Sequence, residues 1–167
     1  METILPKEIK IIRLDSYLQT IKNSLGTGLF RNLFAEVDGK RMDILKNGGL
    51  SCPVFVSSIL YLHKLCSDIH ATVDGTTKDI KAFGWEEVKT PRVGAVLVWE
   101  SAKTTDHSGD VYPHHQHIGF YVDEESAISN SASVGYPVQH HWTFGLQDNN
   151  QPIRKVEKIF WYKKLEK

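Results

Sequence analysis

Three observations predict an α+β fold. Apolar residues at helical spacing occupy the first half of the chain. Runs rich in Val, Ile and aromatics fill the second half. The connections between those runs are too short for parallel crossovers, which points to an antiparallel sheet.

The elements follow in order. Residues 6–25 carry Leu14, Leu18, Ile21 and Leu25 on one stripe, and Gly26 supplies a stop. NLFAEV and KRMDIL flank Asp38-Gly39, the strongest short hairpin signal in the chain. A second helix is predicted over 51–66, with Phe55, Ile59, Leu62 and Cys66 on one face and Pro53 tolerated in the first turn. A short third helix is predicted over 77–83, capped by Thr76 or Thr77 and stopped by Gly84. Strands are predicted over 93–100, 118–122, 127–131, 138–142 and 156–162.

With 167 residues and no repeat, low-complexity tract or linker, one domain over 1–167 is expected. The 20 Lys+Arg balance the 20 Asp+Glu. A net charge of zero removes the electrostatic footprint of a nucleic-acid binder and gives no attraction to anionic membranes. Glu8, Lys10, Arg13 and Asp15 interrupt any apolar leader, and no window approaches ~20 apolar residues. A cytoplasmic location is the default expectation. Two cysteines are too few for a disulfide framework. On one helix, Cys52 and Cys66 would stand ~21 Å apart, beyond the ~7 Å reach of a disulfide, so both are expected as free thiols.

Cys52 falls at the expected start of the second helix. Unpaired N–H groups and the helix dipole there lower a thiol's pKa and can hold an oxyanion. Simple packing of a small residue is the alternative, and it suffices for Cys66, which continues an apolar stripe. A thiolate enzyme also needs a base and a group that orients the base. The segment HIGFYV-DEES-AISN reads as a hairpin. A two-residue loop at Asp123-Glu124 sets Val122 opposite Glu125 and His117 opposite Asn130, with paired Cβ atoms ~4.5–5.5 Å apart. An odd-length loop would separate the two side chains.

LSCPVFVSSIL, PRVGAVLVWE and HIGFYVDEESAISNSAS occur in that order, and together they resemble the NlpC-type cysteine peptidases. These belong to a papain-like superfamily that includes the CHAP amidases. The resemblance covers about 47–142, with KIFWY as a closing strand, and leaves 1–46 as an N-terminal extension to a core over 47–162. It implies a helix-borne nucleophile packed on an antiparallel, partly barrel-like sheet. Carried across by position, it implies Cys52 as nucleophile, His117 as general base and Asn130 as the orienting group, acting on an amide or peptide substrate without a cofactor. Ser51 and Pro53-Val54 flank the cysteine where the family usually has Asp and Ser-Gly. The alternatives are a thiol acyltransferase of the same fold, a silent binding module that retains the fold, and, last, a metal-dependent hydrolase using the histidine run at 114–117.

In the run His114-His115-Gln116-His117, strand alternation turns His115 and His117 to one side and His114 to the other. Zinc wants three or four converging ligands, which this run does not guarantee, so no metal site is expected. His140 and His141 read as a strand pair. Residues 101–116 read as a long loop, a candidate lid beside His117. Trp99, Trp142, Phe144 and Trp161 read as core or cleft-wall aromatics.

Overall fold

In the computed structural model, which describes residues 8–166, helices come first and strands second. Helix α1 spans Arg13–Asn23. The expected start near residue 6 lies outside the described residues. Residues 8–12 are described and not helical, and the extended Ile12 precedes the first turn, so the helix begins later than predicted. Strands β1 (Phe34–Val37) and β2 (Lys40–Asp43) form the expected hairpin. Asp38 and Gly39 supply its two left-handed turn residues, at φ 51° and 74°.

Helix α2 spans Cys52–Leu62 and ends before Cys66, not at it. Lys64 adopts φ 55°. Leu65 N–H donates to Leu60 O at 2.8 Å and Lys64 N–H to Tyr61 O at 3.0 Å, closing the helix as a Schellman turn. That turn is usually marked by glycine; a lysine there leaves no sequence sign. The along-helix separation of the two cysteines therefore does not apply, although both thiols are free. Helix α3 spans Val73–Phe83, starting one turn earlier than predicted. Thr72 is the cap, its hydroxyl accepting from Gly75 N–H at 3.0 Å, and Gly75 within the first turn hides the helix from propensity. Gly84 stops it at φ 112°, as predicted.

The strands are β3 (Glu86–Glu87), β4 (Val96–Thr105), β5 (Val111–Tyr121), β6 (Ser126–Ser131), β7 (Tyr136–His141) and β8 (Val156–Trp161). They form one antiparallel sheet in the order β3-β8-β4-β5-β6-β7. The fold class is α+β. The sheet is open, not partly closed into a barrel: β3 contributes only two residues, and β3 and β7 remain at opposite edges.

Residues 101–116 are not a loop. They extend β4 and β5 into a ribbon, with register shifts at Trp99/Ala102 and Ala102/Thr104, leaving a short turn around Asp106. Polar side chains such as Lys103, Thr104 and Thr105 disguise it, because a solvated ribbon needs no apolar face.

One core joins the layers. Phe55 of α2 meets Phe120 of β5 and Phe30 edge to face, with ring centroids 5.5 and 5.3 Å apart. Tyr17 and Ile21 of α1 belong to the same buried cluster, and the Tyr17 hydroxyl donates to Gly94 O at 3.0 Å. No helix among the described residues is long and apolar enough to cross a membrane.

Candidate functional site

The chain reaches Cys52 through a tightly held turn. Lys46, Asn47 and Gly48 all take positive φ. A Cβ on Gly48 would stand 2.3 Å from Gly135 O, and one on Gly49 would stand 2.8 Å from a carboxylate oxygen of Asp106. Close approach of backbone to backbone thus requires glycine at 48. Asn130 reinforces the turn: its side-chain N–H donates to Gly48 O at 2.7 Å.

That contact corrects the hairpin register. β5 and β6 pair as Gly119↔Ser129, Phe120↔Ile128 and Tyr121↔Ala127, and Val122 N–H donates to Ser126 O. The loop is therefore three residues, Asp123 to Glu125, rather than two. Side chains alternate with period two, so the extra residue moves Asn130 to the face opposite His117. Asn130 does not orient His117. Ser129 takes that face instead, with its Oγ 2.7 Å from His117 Nε2.

Cys52 and His117 come together at the start of α2. One ring nitrogen of His115, one of His117 and Cys52 Sγ all lie within 4.8 Å of one another. The shortest separation is 3.6 Å, from Sγ to His115 Nε2. The one extra residue at the β4–β5 register shift near Trp99 lies on β4: three steps from Trp99 to Ala102 match two from His117 to His115. β5 thus keeps its alternation, and both imidazoles face the thiol, as strand geometry predicts.

Hydrogen bonds fix which nitrogen of His117 carries the proton. Ser129 Oγ lies 2.7 Å from both His117 Nε2 and His140 Nε2. His140 Nδ1 lies 2.8 Å from His141 O, which can only accept, so Nδ1 carries the proton there. Burial holds His140 below the usual imidazole pKa, although the His141 carbonyl works the other way, so the ring is neutral and its Nε2 is an acceptor. Ser129 O–H must then donate to His140, and His117 Nε2–H must donate to Ser129. His117 Nδ1 is left with a lone pair, buried and without a protein partner. Trp99 and Phe144 brace the chain, Phe144 stacking on His140 at 4.1 Å.

Electrostatics keep the pair neutral. Cys52 is 1% exposed and His117 6%. Burial pushes the Cys52 thiol up to about 12, outweighing the Ile118 N–H, the Arg154 guanidinium and its own N–H, which favour the thiolate. The lowered thiol pKa expected of a helix start is therefore overturned by desolvation. Burial also holds His117 well below the usual imidazole range, helped by Arg154 and the neighbouring His115 and His140.

A cleft of about 420 Å³ opens over these imidazoles, lined by His115, His117, Ser129, His140, Phe144 and Arg154. Lys103, Thr104 and Thr105 of the ribbon wall one side. Arg154 donates to Glu100 O at 3.0 Å and to His115 O, fastening the ribbon's base. A larger apolar groove of about 570 Å³ between α1 and α2 contains none of these groups. Sequence reasoning missed Ser129, His140 and the approach of His115 to the thiol. The one available signal was the odd-length loop, which carries Ser129 to the face of His117. No family model and no curated protein matches the sequence.

Proposed function

We propose that this chain is a thiol-dependent hydrolase of amide or peptide bonds, a divergent papain-like enzyme of NlpC type. The observation that carries the reading is the chain His117–Ser129–His140–His141 O, which leaves an Nδ1 lone pair on an imidazole that approaches a thiol at a helix start. A helix-borne cysteine packed against an antiparallel sheet, with histidine on the adjoining strand, further supports it.

Cys52 Sγ attacks the carbonyl carbon as its proton passes to His117 Nδ1. The Cys52 backbone N–H stabilises the oxyanion. Collapse of the adduct breaks the C–N bond, and His117 returns the proton to the leaving amine. Water then attacks the thioester, giving a proton to His117, and the released sulfur recovers it. Because thiol and imidazole are both neutral at rest, proton transfer accompanies attack instead of preceding it. Ser129 and His140 fill the orienting role that the sequence pattern assigns to Asn130, whereas Asn130 positions the turn before Cys52. The buried thiol is reached from the cleft side by displacement of the half-buried His115 ring.

An uncharged peptidyl electrophile with adduct mapping tests this. Modification at Cys52 that falls ~10²–10⁴-fold in His117→Ala is expected. Equal modification of Cys52 and Cys66, indifferent to His117, would sink the reading.

A further inference from the structure

Three groups with lone pairs or an ionisable proton converge at Cys52, and they are the donor types that zinc and its neighbours prefer: one thiolate and two imidazoles. We propose that Cys52, His115 and His117 bind a divalent cation of the Zn²⁺ class, and that occupancy silences the thiol. The binding claim stands by itself; the silencing rests on the hydrolase reading.

The spacing suits a tetrahedral ion. With metal–sulfur and metal–nitrogen bonds of ~2.3 and ~2.0–2.1 Å, a tetrahedron has a sulfur–nitrogen edge of ~3.6 Å. The observed Cys52 Sγ to His115 Nε2 separation is 3.6 Å. The third donor lies within 4.8 Å of both, so a small closure of His117 completes the face.

His117 supplies the second, independent sign. The residue is 6% exposed, yet its Nδ1 is buried and has no protein partner. A buried nitrogen left unpaired is costly, and here Ser129 takes up Nε2 and leaves Nδ1 as the nitrogen free for a ligand. Metal-bound histidines are oriented in the same way, by a hydrogen bond on the other ring nitrogen. By contrast, the His70–Asp79 pair offers nothing comparable: the half-buried His70 Nε2 is already engaged by Asp79 at 2.8 Å.

Coordination is a simple exchange. Cys52 loses its proton to solvent, sulfur and the two ring nitrogens donate electron pairs, and nothing is oxidised or reduced. A bound cation replaces the proton that burial otherwise keeps on sulfur. The fourth position falls to water from the cleft that His115 and His117 line. With its sulfur and base both occupied, Cys52 cannot attack a carbonyl.

Co²⁺ is the probe, added to the chelator-treated, reduced full chain. One equivalent giving a thiolate-to-cobalt charge-transfer band and four-coordinate visible bands, displaced by Zn²⁺, is expected. The charge-transfer band disappears in Cys52→Ser. Affinity drops in His115→Gln by more than the ~10–100-fold that loss of an outer hydrogen bond costs. His140→Gln, checked for folding by circular dichroism, loses about that smaller amount. Absence of the band, or a band that survives in both His115→Gln and His117→Gln, overturns the site. Electrophile labelling of the metal-free chain separates the two readings. His117-dependent labelling without a cobalt band removes the cation site and leaves the hydrolase. A cobalt band with His117-independent labelling upholds the site and removes its regulatory meaning.

Discussion

Cys52 and Cys66 are two buried thiols with the same resting state and opposite surroundings. Burial pushes both up to about 12. Around Cys66 most groups reinforce the proton: its S–H donates to Ser57 O and Asp68 O at 3.4 and 3.3 Å, and the Asp79 and Asp68 carboxylates oppose a second negative charge, with only an Asp68 backbone hydrogen bond working the other way. Around Cys52 the proton has somewhere to go, because an imidazole lone pair, an Arg154 guanidinium and two backbone N–H groups favour its departure. Burial alone therefore does not decide whether a cysteine is chemical. What decides is whether a neighbour can accept the proton when an electrophile arrives.

The sharpest test of this contrast is deletion of each sulfur. Cys52→Ala is expected to abolish turnover and the fast covalent labelling, leaving only slow modification of Cys66, measured by intact mass and substrate assay, while Cys66→Ala retains both fast labelling and turnover. Next comes His117→Ala, with a ~10²–10⁴-fold fall in rate at Cys52 and none in the slow modification of Cys66. His140→Phe keeps the ring stacked near Phe144 but removes the acceptor for Ser129. A roughly 10–100-fold fall in rate is expected, the cost typical of losing a group that orients a working imidazole. An unchanged rate would mean that His117 needs no fixed tautomer.

pH sharpens the comparison further. The proposed base is neutral His117, whose pKa lies well below 6.5, from burial first and then Arg154. With chelator present, activity at Cys52 should hold down through pH 6.5 and fall about tenfold per unit only below that depressed pKa. Stability follows the same sign. His63, His115, His117 and His140 are all lowered by burial, so the unfolded chain takes up protons first. Stability is full above the unfolded pKa of ~6.5 and is lost as pH falls from there through the folded values. Denaturant midpoints measured between pH 8 and 5, a range of about 3 units, would show the decline; a flat profile would contradict neutral burial. The smallest effect belongs to Cys66→Ala, about 1 kcal/mol of stability from a lost buried sulfur, with rates untouched.

Much of this arrangement is readable along the chain. Asp38-Gly39 marks its hairpin because both residues tolerate positive φ, and Gly84 ends α3 for the same reason. Val-, Ile- and aromatic-rich runs mark β4 to β8. Elements lacking such marks are not readable in the same way: the Schellman turn built on Lys64, the helix start disguised by Gly75, and the polar ribbon at 101–116.

At the site the same division holds. Local sequence determined that Cys52 begins a helix, that His115 and His117 share a side of a strand, and that aromatics surround them, because these follow from spacing within one element. Tertiary structure decided the rest. A single additional loop residue exchanged Asn130 for Ser129 beside His117, and a strand added at the sheet's edge brought His140 to fix the proton. Packing then buried the thiol so that desolvation outweighed the helix start. Register, cross-strand partners and solvent exclusion are properties of how elements meet, and no single stretch of the chain encodes them.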